Sequence, residues 1–576
     1  METRTKELAA LEKNKKVTKE EAEEGQELLT RMPKLKARQE LRKKYEALTD
    51  GKLPPDEFAA ERAKIKGGMK LSADVAEKYT RDVLRAIETV RPEYVKEITI
   101  GEWGANAIKG LYRRVEQPLP DDIKDALKNP KTLARSKVAE LIREAREKLG
   151  KREDLDDQKD VDTTILMMFA ELHDPYTTYY DAATLKKMDA PLRGRFRGVG
   201  IQIRRDLVRD GLLVVSPIKG SPAYKAGIQA GDLITAIKRD SDPQGEPLKE
   251  GEKTEISTKG MKTEQALDLI LGKVGVPITL VVEREGQKEP IEFKLERGIV
   301  SVETVLGVKR DKKDDWLWYV DEANKIGYVC LTQFGPSTGR ELEAVINKME
   351  KAGLNGLVLD LRFNPGGLLQ TAVMVCDLFV DDGVVVSVRP RVGRPRVYHA
   401  KDSNNYPGPV VTAHTRFPIA VLVNGSSASA AEIVSACLQD YNRAVVVGER
   451  SYGKGSVQNV ERFSPTGGEI KMTTARYFPP LGKNIDKHST PGKPEDEWGV
   501  KPNPGFEIKL PREEQQELAE SYRDREIIKP KDAPKTPVDK EKADKKPFVD
   551  RQLEKAVDYL RNQAKAVAAQ PGRKDG

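Results

Sequence analysis

"PIAVLVNGSSASAAEIVSACLQD" (residues 418–440) changes its pattern halfway along. The first seven residues form an apolar run between Pro418 and Asn424, the length of a buried strand. "GSSAS" reads as a turn, and "AAEIVSACLQD" returns apolar residues at helical spacing. Strand, turn and helix in that order are the repeating unit of an α/β sheet. The unit sets Ser429 beside the backbone amides of a helix start. Two readings of this serine stand side by side. Ser429-Ala-Ala-Glu432 fits a capping box, which is reason enough for a serine there. A hydroxyl next to exposed amides also suits a nucleophile.

The neighbouring stretches extend the pattern. "GLVLDL" (356–361) runs through "RFNPGG" into the helical "LLQTAVMVCDLF". Downstream, "RAVVVGERSYGKGSVQ" (443–458) places Lys454 between two glycines behind an apolar run. Gly448, Gly453 and Lys454 almost spell a nucleotide-binding loop, but the next residue is Gly455, where a Ser or Thr would hold Mg²⁺. Such a loop must also open a helix. Here "SVQNVERF" and "GEIKMTTARYF" alternate like strands, so the nucleotide reading fails.

The other reading of Lys454 is a general base. Its pKa must then fall from ~10.4 toward neutrality, which burial achieves by disfavouring the ammonium form. On a strand, Lys454, Ser456 and Gln458 would share a face, with Gln458 in reach of the amine. The four histidines, His173, His399, His414 and His488, lie far from this segment, so a Ser–His pair has no local support.

A chain of 576 residues is too long for one core. Residues 1–181 read as charged amphipathic helices, including "KEEAEEGQELLTRM" and "SKVAELIREAREKL". Residues 194–299 switch to short strands and glycine turns with a polar insertion at 239–256. Residues 301–510 alternate strands and helices. Residues 511–576 form a charged linker, richest in Lys, Asp and Pro at 525–547, and end in the amphipathic "RQLEKAVDYLRNQ". Net charge is +8, the small difference between 100 basic and 92 acidic residues, which gives no case for nucleic acid. Cys330, Cys376 and Cys437 are dispersed in apolar stretches and suggest neither disulfides nor a metal site. No apolar run approaches a membrane span, and "METRTKELAALEKNKK" has no signal-peptide core.

At this point "NGSSASAAEI" and "RAVVVGERSYGKGSVQ" resemble the active-site signature of the C-terminal processing peptidases, or tail-specific proteases. The resemblance covers residues 165–510. It implies Ser429 as nucleophile, Lys454 as base and Gln458 as the residue that orients the lysine. It also implies an oxyanion hole from the backbone N–H groups of Gly366 and Ala430. "RGVGIQI" and "SPAYKAGIQAGDLITAI" resemble the circularly permuted PDZ domain of this family, and "LHDPYTTYY" the junction before it. Arg197, Gly198, Val199, Gly200 and Ile201 are then the candidate loop for a peptide carboxylate, although these glycines could equally serve a tight turn. Ala431 departs from the family, where many members have a second serine, and the 239–256 insertion is unusual.

The implied fold is a multidomain combination of α+β and α/β parts. It has a helical N-terminal region, an inserted PDZ-like β domain and an α/β Ser–Lys protease core. The implied activity is a serine endopeptidase that selects protein substrates by free, apolar C-termini, with no metal or cofactor and no integral membrane span. Homo-oligomer formation is left open. The resemblance suggests the periplasm or cell envelope, while the missing signal peptide leaves the cytoplasm open. The rival is a PDZ-containing peptide-binding adaptor with an inactive or latent protease core. Its mark would be a lost Ser, Lys or Gln, and all three are present. Asp360 and Arg362 read as ties for the "NPGG" turn, and Asp174 as part of an Asp-Pro turn.

Overall fold

A computed structural model describes residues 2–188, 195–528 and 548–568 of the chain. The chain divides into two compact units. One comprises residues 1–187, 390–393 and 457–475, the other residues 188–389, 394–456 and 476–576.

The first unit is built on amphipathic helices. Lys19–Thr30 buries Ala22, Leu28 and Leu29, and Arg135–Leu149 buries Val138, Leu141, Ile142 and Ala145, the residues that a 3.6-residue period selects. Thr18 and Glu21 close a capping box at the start of the former. The helix Lys159–Ala170 stops short of Asp174. That carboxylate accepts from the Tyr176 N–H at 3.0 Å, the Thr177 hydroxyl at 2.7 Å and the Tyr94 hydroxyl at 3.1 Å, so it organises the turn.

The strand Thr178–Tyr180 pairs antiparallel with Gly468–Phe478. Phe463, Ile470 and Met472 are buried in one cluster with Trp103, Ile108 and Phe169. Residues 457–475 are therefore counted with the helices of this unit. Their apolar side chains find a core that lies hundreds of residues away in the chain.

In the second unit, five strands form an antiparallel sheet in the order Ile201–Asp206, Gly211–Pro217, Leu233–Lys238, Pro277–Glu283, Ile291–Glu296. The helix Thr263–Ile270 sends Ala266 and Ile270 into the same core. The polar insertion is exposed turn structure that closes on a short strand, Glu255–Ser257.

The α/β part holds the strands Ile326–Leu331, Gly356–Asp360, Ile419–Val423 and Ala444–Gly448, all parallel, with Val305–Leu306 antiparallel on one edge. These parallel strands are buried throughout, which is why they read as unbroken apolar runs. Tyr328, Val358, Ala420, Leu422, Val445 and Val447 cluster with Ala556, Val557 and Leu560 of the last helix, Arg551–Ala568. That helix covers one face of the sheet.

A further helix, Arg512–Glu526, occupies the start of the stretch read as charged linker. Residues 529–547, most of the Lys-, Asp- and Pro-rich part at 525–547, lie outside the described residues. Among the described residues no helix is long and apolar enough to cross a membrane, and no His, Cys, Asp or Glu cluster is arranged to hold a metal.

Candidate active site

Ser429 stands at the entry to the helix Ala430–Asp440 with φ 56° and ψ −114°. A left-handed backbone costs a non-glycine residue about 1–3 kcal/mol, so the surroundings must hold it. They do so by tying two turns together. The Ser427 hydroxyl donates to the Leu361 carbonyl at 2.8 Å, the Phe363 N–H to Asn424 Oδ1 at 3.0 Å, and the Ala428 N–H to the Asn364 carbonyl at 2.9 Å.

The second turn brings Gly366 against the serine. A Cβ at Gly366 would lie 2.7 Å from Ser429 Cβ and 2.9 Å from the Ala430 nitrogen, and φ there is 98°. Only glycine fits both demands. The Gly366 N–H donates to Asn364 Oδ1 at 2.8 Å, within a buried Asx turn that Asn364 anchors by donating to the Leu331 carbonyl at 2.7 Å.

Glu432 gathers the site. It is fully buried. One carboxylate oxygen, Oε2, accepts both the Ser429 N–H and the Lys454 N–H, each at 2.8 Å. The other accepts the Ser451 hydroxyl at 2.6 Å and the Gly453 N–H at 2.7 Å. Serine and lysine are thus held at one oxygen atom.

The lysine loop is fixed from its other sides as well. The Tyr477 hydroxyl donates to the Lys454 carbonyl, the Lys487 N–H to the Gly453 carbonyl at 3.0 Å, and the Tyr452 N–H to the Ser427 carbonyl at 2.9 Å. A Cβ at Gly453 would strike the Trp498 ring and Lys487 Cβ, both at 2.8 Å.

Lys454 is half-buried and precedes the strand, which begins at Ser456. The expected strand alternation therefore does not orient it. Its amide and carbonyl are taken by Glu432 and Tyr477, where a strand would use them for pairing. Gln458 is on that strand, with its Nε2 3.5 Å from Thr473 Oγ1. It is counted with the first unit, whereas Ser429 and Lys454 belong to the second.

Burial pushes the Glu432 carboxyl from 4.5 up to about 7, against hydrogen bonds from Ser451, Gly453, Lys454 and Ser429 that favour the anion. The folded state therefore holds this proton more tightly than the unfolded chain. Its contribution to stability is whole below pH 4.5 and is lost as pH rises toward 7. That span is worth about 3 kcal/mol at most.

Glu432→Gln is expected to remove this slope and to lower kcat/KM by about 10–100-fold, because an amide offers one acceptor oxygen to four donors. Urea unfolding at acid and neutral pH, beside peptide hydrolysis, measures both. A variant with wild-type slope and rate would take Glu432 out of this role. Sequence reading saw Glu432 only as a cap partner. Ser451 and Tyr477 carried no sequence signal, since their contacts are long-range.

In the antiparallel domain, Phe196, Ile201, Ile203, Leu267, Ile270 and Leu271, with Gly200, line an apolar cleft of about 200 Å³. It opens between the strand Ile201–Asp206 and the helix Thr263–Ile270. The expected carboxylate loop, 197–201, stands at this cleft. Its carbonyls are used internally: Val199 accepts the Ala223 N–H at 2.9 Å, and Gly200 accepts the Ile218 N–H at 2.9 Å and the Ser221 hydroxyl at 3.0 Å. The Arg197 side chain is exposed.

Comparison with known proteins agrees with this architecture. The profile of Peptidase family S41 matches residues 325–503, and that of the PDZ domain matches residues 213–237. A carboxy-terminal-processing protease of Bartonella bacilliformis is 36% identical over 334 residues, which is 57% of this chain and 68% of that protein. The carboxy-terminal processing protease CtpA of Bacillus subtilis is 35% identical over 334 residues, 58% of this chain and 63% of that one. Among solved structures, a photosystem II D1 C-terminal processing protease aligns with a TM-score of 0.39 and 26% identity, covering 75% of this chain and 93% of that one. The S41 match encloses the serine, the lysine and the carboxylate that joins them, and with the Bartonella relative, covered over two thirds of its length, it shows that the chain belongs to peptidase family S41, the serine peptidases that include the carboxy-terminal processing proteases.

Proposed function

We propose that Ser429 and Lys454 hydrolyse peptide bonds in proteins chosen by their C-terminal tails. The observation that carries this reading is the shared Glu432 oxygen, which accepts the Ser429 and Lys454 amides together while Gly366 packs on the serine. In this mechanism the neutral Lys454 amine takes the Ser429 proton as Oγ attacks the carbonyl carbon. The ammonium then returns the proton to the leaving amine, and the amine activates water to release the acyl group. Gln458 orients the amine, as the family resemblance suggests. The amides of Ala430 and Gly366 face the developing oxyanion.

Since the Gly366 amide is donated to Asn364, substrate must share it or draw it away. That observation favours a second, compatible reading: a resting state whose oxyanion hole is completed on substrate entry. Action in the cell envelope fits the family resemblance.

Selection falls to the PDZ domain. Its cleft is apolar on every named wall and suits a terminal side chain such as Ala, Val or Leu. The amides of residues 198–201 are assigned to the terminal carboxylate, with Arg197 flanking them. A charged acceptor makes hydrogen bonds roughly twice as strong as a neutral one, so amidating the tail should weaken binding by about 10-fold or more. Fluorescence anisotropy with one peptide as free acid and as amide, on a Ser429→Ala chain to prevent turnover, makes the comparison. Equal affinities would remove the 197–201 loop from this role.

A further inference from the structure

We propose that Asp550 and Gln552, at the start of the C-terminal helix, are positioning residues for the peptidase reaction, acting through Arg362 on the turns that hold Ser429 and Gly366. This rests on the reading of Ser429 and Gly366 given above. Both residues lie outside the stretch matched by the peptidase family, 325–503.

Arg362 is almost wholly buried, and all five of its guanidinium hydrogens are engaged. Nε donates to Asp360 at 3.1 Å. Nη1 donates to Asp550 Oδ1 at 2.9 Å and to Gln552 Oε1 at 3.0 Å. Nη2 donates to Asp360 Oδ2 at 2.8 Å and to Asp550 Oδ2 at 2.7 Å. Two carboxylates, 190 residues apart in the chain, therefore grip one fork. Asp360 also accepts hydrogen bonds from Tyr522 and Tyr328, and Arg525 donates to the Tyr328 hydroxyl at 2.7 Å. The buried Arg362 and the half-buried Arg525 both favour the anionic form of Asp360. Burial alone would push Asp360 up, yet the Arg362 guanidinium holds it below its ordinary value.

The link to catalysis is short. Arg362 stands between Leu361, whose carbonyl receives the Ser427 hydroxyl, and Phe363, whose N–H donates to Asn424. Both bonds shape the turn that ends at Ser429. Phe363 itself has φ 61° and packs edge-on against Tyr522, with ring centroids 5.2 Å apart. If Asp550 loses its charge, the buried guanidinium keeps Asp360 as its one carboxylate partner and must shift or admit water. Either response moves residues 361–363, and with them Gly366 and the serine turn. Gln552, fully buried, fixes the same helix start by donating to the Ile508 carbonyl at 2.7 Å.

The test uses the full chain carrying Asp550→Asn or Gln552→Met, with Val557→Ala as a control that weakens helix packing on the sheet away from Arg362. Asp550→Asn should lower kcat by about 10–100-fold, the cost of slight misplacement at a reacting centre. KM should change by less than about twofold. Asp550→Asn added to Arg362→Gln should cost nothing further, because both act on one link. Val557→Ala should lower Tm and leave kcat unchanged.

The proposal is overturned if Asp550→Asn keeps the wild-type kcat, or if Val557→Ala loses kcat equally at a matched fall in Tm. If Asp550→Asn does not fold, Gln552→Met decides alone by the same readout. Ser429→Ala, assayed alongside, separates the two levels. Hydrolysis surviving in Ser429→Ala defeats the assignment of the site, whereas a dead Ser429→Ala beside a fully active Asp550→Asn defeats only the role of the C-terminal helix.

Discussion

Ser429→Ala is expected to reduce peptide hydrolysis by a factor on the order of 10⁵–10⁶, the scale seen when a serine nucleophile is deleted from a catalytic unit. The fold should survive. Ser429 gives the Glu432 carboxylate its backbone N–H, which alanine keeps. Alanine would have to adopt the same φ of 56°, and the two tied turns that impose it are untouched. Tail binding, which we assign to the antiparallel domain, should be unchanged. Progress curves with a tail-bearing substrate, anisotropy of a bound peptide and a thermal melt together make the measurement. A variant that cleaves at the wild-type rate would show that Ser429 is not the nucleophile.

Lys454→Arg is expected to lose about 10³–10⁴-fold in kcat/KM, the share of a general base. A guanidinium stays protonated at any working pH and cannot accept the serine proton. The comparison is clean because Glu432 and Tyr477 hold the lysine by its backbone, which the substitution keeps. Lys454→His should recover a trace at most, since imidazole can be neutral but is shorter.

In the wild type, activity should rise with pH as the amine sheds its proton. Across part of the same range the Glu432 contribution to stability falls, because its folded-state pKa is raised to about 7. Rates must therefore be expressed per folded molecule, with a melt at each pH. A structural or phosphate-binding lysine predicts the opposite outcome, in which arginine retains the charge and most of the function. Substantial activity in Lys454→Arg would end the general-base assignment.

Local pattern was enough for the units that carry the site. The apolar run 418–424 followed by helical spacing has its period set by near neighbours in the chain, and it matches the strand Ile419–Val423 and the helix Ala430–Asp440. The same holds for the amphipathic helices Lys19–Thr30 and Arg135–Leu149. What pattern could not reach is where buried polar groups find partners. Lys454 read as a strand residue because apolar and polar residues alternate around it, yet its amide goes to Glu432 and the strand starts two residues later. Glu432 read as a local cap, and its other donors come from residues 451–454, beyond the next strand. Arg362 meets Asp550 across nearly two hundred residues of chain. Period and turn chemistry are short-range and can be read from order alone. The pairing of a buried charge is settled only when distant segments pack, because desolvation forces each buried donor and acceptor to a partner wherever the fold brings one.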